Sequence, residues 1–186
     1  MSHPKPPEPC LFFCSIIYKG EALLSEAKSR LSGLWGPFAD VPDSLPFTWT
    51  TYYEKEMGPD LRRAFVCFSH LLEDPAGLSE RKHQAHAIEE ALSRAGNRRV
   101  NLDPGYLNSH QVIIATFKPF AHRIALGGGV FAHLEYLFKG GEPTPLPWTY
   151  PDYRSEEYRA VFRRWRKMYM DLRRQAPGGR RQREGQ

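Results

Sequence analysis

Apolar positions along the chain recur with two periods, and the changes between them mark the elements. Cys10 to Tyr18 is a nine-residue run of apolar, β-branched and aromatic residues, the signature of a buried strand. After Gly20 the period lengthens: Leu23, Leu24, Ala27 and Leu31 repeat at helical spacing, and Trp35-Gly36-Pro37 supplies a stop. Phe47 to Met57 alternates, with Phe47, Trp49, Thr51 and Tyr53 on one face and Thr48, Thr50, Tyr52, Glu54 and Glu56 on the other. That pattern predicts a strand. Met57-Gly58-Pro59-Asp60 is a turn signal, and Arg63 to Leu71 reads as the returning strand of a hairpin.

Asp74-Pro75 ends that strand. A second helix is expected over 79–94, with Leu78, Ala85, Ile88, Ala91 and Leu92 as its apolar stripe and Gly96-Asn97 as its stop. Arg98 to Leu102 reads as a short strand closed by an Asp103-Pro104-Gly105 turn. Pro presets φ at the first central position of such a turn, and Gly tolerates positive φ. Val112 to Phe117 is a continuous apolar run, as expected of a strand covered on both faces. Arg123 to Leu126 and Val130 to Phe138 are further strands either side of Gly127-Gly128-Gly129. The last helix has the fullest set of signals. Ser155 caps it, Glu156 and Glu157 oppose the dipole at its start, and Arg173 and Arg174 do so at its end. Tyr158, Val161, Phe162, Trp165, Met168, Tyr169 and Leu172 form its stripe.

The order up to Leu102 is strand, helix, strand, strand, helix, strand. The fold class read from this is α+β: a ferredoxin-like βαββαβ nucleus, extended by additional antiparallel strands over 112–138 and a C-terminal covering helix. One domain over 10–174 accounts for the patterned residues, and 186 residues suffice for one good core. Residues 1–9, with four prolines, read as a flexible arm, and 175–186 as a basic disordered tail.

Charge changes the picture only at one end. From Arg154 onward eleven Lys/Arg stand against four Asp/Glu, so that segment carries +7 and the remainder −2 of the net +5. Such a segment attracts nucleic acid or acidic partners, or is a solvated helix face. The nine-residue apolar run near the N-terminus is too short to cross a bilayer and lacks a small-residue cleavage site. Cys10, Cys14 and Cys67 are odd in number, without a CxxC pair, and sit inside apolar runs. Together these point to a cytoplasmic protein with buried thiols and no membrane partner.

Four strings occur in order: Thr-Thr-Tyr-Tyr-Glu-Lys-Glu-Met-Gly at 50–58, Asn-Leu-Asp-Pro-Gly-Tyr-Leu at 101–107, Ala-Thr-Phe-Lys at 115–118 with His122-Arg123-Ile124, and Pro-Trp-Thr-Tyr-Pro-Asp-Tyr at 147–153. Through them the chain resembles the bacterial domain-of-unknown-function family 4416 over roughly Cys10 to Tyr169. The resemblance implies no established activity, cofactor or substrate. It brings a GTP-binding label that the residues do not support. There is no GxxxxGK[ST] loop, and Gly127-Gly128-Gly129 lacks the Lys-Ser/Thr that would reach phosphate and magnesium. Where the family pattern carries a carboxylate after Gly-aliphatic-aromatic-Ala, this chain has His133.

The candidate chemistry clusters at strand ends. Asn101 and Asp103 lie two apart, hence on one face, and offer an amide and an acid to a ligand, with Tyr106 beside them. Lys118, His122 and Arg123 gather three cation-capable groups around one loop, as a phosphate or carboxylate would require. His122, with an ordinary pKa of about 6.5, is also a candidate general acid or base, as are Asp103 and Glu54. Tyr52 on the Thr-rich face and Asp152 in the aromatic segment are further candidate ligand contacts. His133 and Glu135 form a lone HxE pair without a second cluster, a weak metal signal that would need a third ligand, so no metal residue is assigned and the cofactor is left unknown. No GxSxG is present, and no cysteine lies beside a histidine.

Two function classes follow. One is an enzyme or sensor that binds a small anionic, phosphorylated ligand in a polar cleft. The other is an RNA or ribonucleoprotein binding module using the sheet face and the basic C-terminal helix. The first is favoured because the polar motifs lie in the core region while the basic charge is confined to one terminal segment. It requires Glu54, Asp103, Lys118, His122 and Arg123 to meet in one hollow.

Overall fold

β1 (Cys10–Tyr18) is buried along its whole length, and the rest of the architecture follows from the need to cover both of its faces. A computed structural model describes residues 3–72 and 74–175. In chain order the elements after β1 are α1 (Glu21–Trp35), β2 (Phe38–Asp40), β3 (Leu45–Pro46), α2 (Glu54–Met57), β4 (Arg62–Leu72) and α3 (Leu78–Leu92). Then come β5 (Val100–Leu107), β6 (Gln111–Thr116), β7 (Ile124–Gly127), β8 (Val130–Lys139), β9 (Glu142–Pro145) and α4 (Glu156–Gln175).

Among the described residues the strands form one antiparallel sheet in the order β2-β4-β1-β5-β6-β8-β7, with β3 also on β4 and β9 also on β8. Even-numbered β1 side chains (Phe12, Cys14, Ile16, Tyr18) pack under α1 and α3, together with Ala64, Val66 and Phe68 of β4. Odd-numbered Leu11 and Phe13 pack with Phe65 and Cys67 under Phe162, Trp165 and Tyr169 of α4. Beyond the reach of α4, Ile17 is covered by Phe47, Met57 and Leu61. The expected α+β class and covering C-terminal helix are present. The cap on α4 is also as expected: Tyr158 N–H donates to Ser155 Oγ at 3.3 Å.

Two local expectations are overturned. Phe47 to Met57 is not a strand; it runs through bends and turns into the single-turn α2. A strand needs an edge to pair with, and the outer edge of β4 is already taken by β2 and β3, so the expected hairpin partner has no ladder to join. Asp103-Pro104-Gly105 is not a turn. It lies inside β5, with Asp103 opposite Ser15, Pro104 opposite Cys14 and Gly105 opposite Phe13 on β1. Glycine is required at 105 for close approach: a Cβ there would sit 2.5 Å from the Phe13 ring and 2.4 Å from the Ile113 carbonyl oxygen. Gly105→Ala is therefore expected to cost about 1–3 kcal/mol by overpacking. Urea denaturation checks this, and an unchanged midpoint would refute the packing account.

Gly127-Gly128-Gly129, all at positive φ, turn β7 into β8, and the Gly127 carbonyl accepts from Ser79 Oγ on α3 at 3.1 Å. The N-terminal segment docks by its last residues: Ser109 Oγ donates to Glu8 at 2.9 Å and Tyr169 Oη to the Pro9 carbonyl at 2.8 Å. Residues 176–186, which include nearly all of the expected tail, lie outside the described residues. No described helix is long and apolar enough to cross a membrane. Cys10, Cys14 and Cys67 are free and buried.

Candidate functional site

The site originates in a break in the sheet. β5 and β6 pair only at Gly105↔Ile114, Tyr106↔Ile113 and Leu107↔Val112. Beyond Gly105 the two strands part, although each continues with its outer neighbour. An abandoned strand edge must satisfy its backbone elsewhere. At Leu102 two side chains from α3 supply the partners: Glu89 Oε1 accepts from Leu102 N–H (2.5 Å) and Lys82 Nζ donates to its carbonyl (2.7 Å). Two residues on, the alternation of the strand turns the backbone nitrogen of Pro104 to the same side, and proline has no N–H to orphan there.

The gap opens into a cavity of about 890 Å³. α3 contributes Lys82, His86 and Glu89 to it, β5 contributes Asn101 and Asp103, and β4 contributes Arg63. Trp49, Tyr52 and Tyr53 form one wall, Phe117 and Lys118 another, and Arg123 with Tyr150 to Tyr153 a third. Trp49 and Tyr52 are 50% and 55% exposed, so the aromatic wall faces an opening.

Across the floor runs a chain of charge-assisted bonds. Arg98 pairs with Glu56 at 3.0 Å and donates to Asn101 Oδ1 at 2.7 Å; Asn101 Nδ2 donates to Asp103 Oδ2 at 2.7 Å; Lys82 Nζ donates to Asp103 Oδ1 at 2.8 Å. Burial alone would push the Asp103 carboxyl up. The Lys82 charge and hydrogen bond outweigh it, with Arg63 and Asn101 adding, and the pKa falls below the usual carboxylate value. Burial likewise opposes the Lys82 charge, and Asp103 and Glu89 more than offset it, so its pKa is raised. Lys82 is thus a fixed cation rather than an amine nucleophile, and Asp103 is an acceptor rather than a proton donor.

Arg123 is held by three neutral acceptors. It donates from Nε to His133 Nδ1 (3.1 Å), from Nη1 to the Lys118 carbonyl (2.7 Å) and from Nη2 to Tyr150 Oη (2.8 Å). Because a guanidinium only donates, His133 Nδ1 is assigned as acceptor and its proton to Nε2. That nitrogen lies 2.7 Å from Glu135 Oε2 in a buried pair. Burial, reinforced by Arg123, pulls His133 down to about 4, and burial pushes Glu135 well up. His133 stacks on Tyr150 with centroids 4.6 Å apart, and Glu135 Oε1 accepts from Tyr150 N–H at 2.8 Å. Lys118 Nζ lies 3.9 Å over the Tyr52 ring.

Of the residues singled out from sequence, Asn101, Asp103, Lys118, Arg123, Tyr52 and Asp152 line this cavity. Glu54, His122 and Tyr106 do not. Glu54 is exposed at the start of α2, and Tyr106 is half-buried against the α1/α3 side of the sheet. His122 sits behind Arg123, stacked on Trp148, with Nε2 3.1 Å from His133 Nδ1; burial, His133 and Arg123 lower its pKa.

Sequence reasoning missed Arg63, Lys82, Glu89 and Arg98. A signal existed for three of them. Lys82 and Glu89 fall within the helical stripe Leu78, Ala85, Leu92, and Arg63 shares the period-two face of Phe65 and Cys67, so each is a charge at a buried position.

Neither face of β1 is open for bases to stack on, and Tyr52 lies in the turn before α2 rather than on a strand. Much of the basic charge of α4 is paired: Arg163 with Glu142 and Glu156, Arg164 with Asp40, Arg159 with Glu156.

Fold and site together define a mixed α+β protein with an aromatic-walled, charge-lined cavity set into its sheet. The chain belongs to the family described as Domain of unknown function (DUF4416), whose model matches residues 8–169. No curated protein and no solved structure matches it.

Proposed function

We propose that this protein binds a small anionic, phosphorylated ligand in the β5/β6 cavity, with Lys118 and Arg123 holding the anion. One observation carries the reading. Lys118 and Arg123 are cations on the cavity wall with no carboxylate within 4 Å among the described residues, whereas Lys82, Arg98 and Arg63 each have one. Arg123 arrives preorganised by His133, Tyr150 and the Lys118 backbone, so little ordering is left to oppose binding. The aromatic wall suits the uncharged part of the ligand, and Asp103 with Asn101 suits its hydroxyl or amine donors. His122 stands outside the cavity behind Arg123, with its Nε2 on His133 Nδ1, so among the acid-base candidates read from sequence it is Asp103, a fixed carboxylate, that faces the ligand.

The fold reading that accompanies this is a ferredoxin-like nucleus of β1, α1, β2, β4, α3 and β5. It is supported by the order β2-β4-β1-β5 with α1 and α3 over one face, β2 being cut to three residues. Three buried free thiols suit a reducing, cytoplasmic setting.

A thermal-shift screen with sugar phosphates and nucleotides tests the proposal. A true ligand at 100-fold above Kd adds about 2.7 kcal/mol of stability. Arg123→Ala and Lys118→Ala are each expected to abolish that increment. If no compound raises the melting temperature, or both variants respond like the wild type, the reading fails.

A further inference from the structure

Arg63 is the arginine that the rest of the site does not explain. It comes from β4, is 6% exposed, and lines the same cavity as Lys118 and Arg123. Phe47, Tyr153 and Tyr158 lie around its guanidinium carbon, with ring centroids at 4.8, 5.2 and 5.7 Å. Rings stabilise the charge through their faces, but they accept nothing from the five in-plane N–H groups. Its counter-ion is Asp152, 4% exposed, with Oδ2 at 3.1 Å from Nη2. That contact is not aligned as a hydrogen bond: Arg63 Nε and Asp152 Oδ2 are both buried without a hydrogen-bond partner among the described residues. Arg98 and Arg123, in the same cavity, each place their N–H groups on two or three acceptors. A buried guanidinium with idle donors is costly, and such a group facing a hollow marks where a ligand supplies the missing acceptor.

We infer that Arg63 forms a second subsite, and that the ligand carries two groups: an anion for Lys118 and Arg123, and a separate oxygen acceptor, carbonyl or carboxylate, for the Arg63 guanidinium. The inference rests on the anion-site reading and specifies its ligand as bifunctional. Tyr150 and Tyr153 stand between the two arginines. Arg123 is 5.7 Å from the Tyr150 ring, the two rings are 6.2 Å apart, and Arg63 is 5.2 Å from Tyr153. One small extended molecule passing these rings reaches both cations. Asp152 keeps Arg63 from attracting the first anion by charge alone, so the subsite selects by hydrogen bonding.

Calorimetric titration of the full chain with inorganic phosphate, aliphatic monoacids, α,ω-diacids and the matching acid-amides tests this. At an optimal chain length the diacid or acid-amide is expected to bind at least ten-fold more tightly than the monoacid. A preference for the diacid identifies the second group as a carboxylate, and equal gains identify a carbonyl. Arg63→Gln is expected to erase the advantage, so that diacid, acid-amide and monoacid bind alike, and Asp152→Asn to enlarge it for the diacid. No advantage at any chain length, or one that survives Arg63→Gln, overturns the second subsite while the anion site stands. Failure of phosphate and every acid to bind overturns both. The wild-type chain-length comparison decides the matter even if Arg63→Gln does not fold.

Discussion

Replacing Lys82 by methionine is expected to lower the melting temperature by on the order of 10 °C. Lys82 is 4% exposed, and its ammonium serves two acceptors, the Leu102 carbonyl at 2.7 Å and Asp103 at 2.8 Å. Removing one partner of a buried ion pair leaves the other charged and desolvated, which typically costs 3–5 kcal/mol. For a chain of this size each kcal/mol moves the midpoint by roughly 2–4 °C. A pH series identifies the cause. The folded pKa of Asp103 is depressed, so its contribution is present above its unfolded value near 3.9 and is lost as pH falls through the folded one. Lys82 has the opposite sign: its raised pKa contributes below about 10.4 and is lost as pH rises through the folded value. In Lys82→Met the largest compensation for the burial of Asp103 is gone and only Arg63 and Asn101 remain, so its pKa rises and acidification relieves the variant. The gap between variant and wild type should therefore narrow toward pH 4. A gap independent of pH, or a loss under about 1 kcal/mol, would show that Lys82 is merely a tethered surface charge.

Trp165→Ala should be comparably damaging, and for a different reason. The indole is fully buried at the centre of the α4 interface, with ring centroids 5.6 Å from Phe13 and 5.4 Å from Phe162, and its Nε1 donates to Asp40 Oδ2 at 2.6 Å. Deleting a buried Trp costs about 3–5 kcal/mol through lost contacts and the cavity left behind. On the same helix, Arg163→Ala removes two exposed ion pairs, to Glu142 and Glu156, which water and salt screen, and is expected to leave the denaturation midpoint nearly unchanged. The pair of variants, compared by chemical denaturation, separates two roles for α4. If Arg163→Ala is the more destabilising, the helix is held by its charges. If Trp165→Ala is, the helix is a cover for the sheet whose basic residues mostly neutralise their acidic neighbours.

The cavity also accounts for the cost of its own construction. A sheet that continued pairing β5 with β6 past Gly105 would satisfy Leu102 without help. Instead two ionisable residues of α3 are buried to do so: Asp103 and Glu89 more than offset the burial of Lys82, whereas the Leu102 N–H and the Lys82 charge offset that of Glu89 only in part, and its pKa stays raised. Buried charges of this kind add little to stability compared with apolar packing. Their concentration around one hollow is what a binding site needs, where fixed dipoles and charges must already point at the ligand.

What the sequence alone determined is the set of elements whose burial is local and periodic. β1, α1, α3, β6, β8 and α4 were legible because a strand or helix with a buried face repeats its apolar residues with the period of its own geometry. Asn101 and Asp103 could be placed on one face for the same reason. Tertiary structure alone decided three things. Whether Phe47 to Met57 could be a strand depended on an edge of β4 that β2 and β3, three and two residues long, had already occupied. Whether Asp103-Pro104-Gly105 would turn depended on Phe13, whose ring lies against Gly105 from the neighbouring strand. And the hollow itself arises where two strands stop pairing, so that Lys82 of α3, Arg63 of β4 and Arg123 after β6 meet from distant parts of the chain. Periodicity records which side of one element is covered; it carries no record of where two elements part.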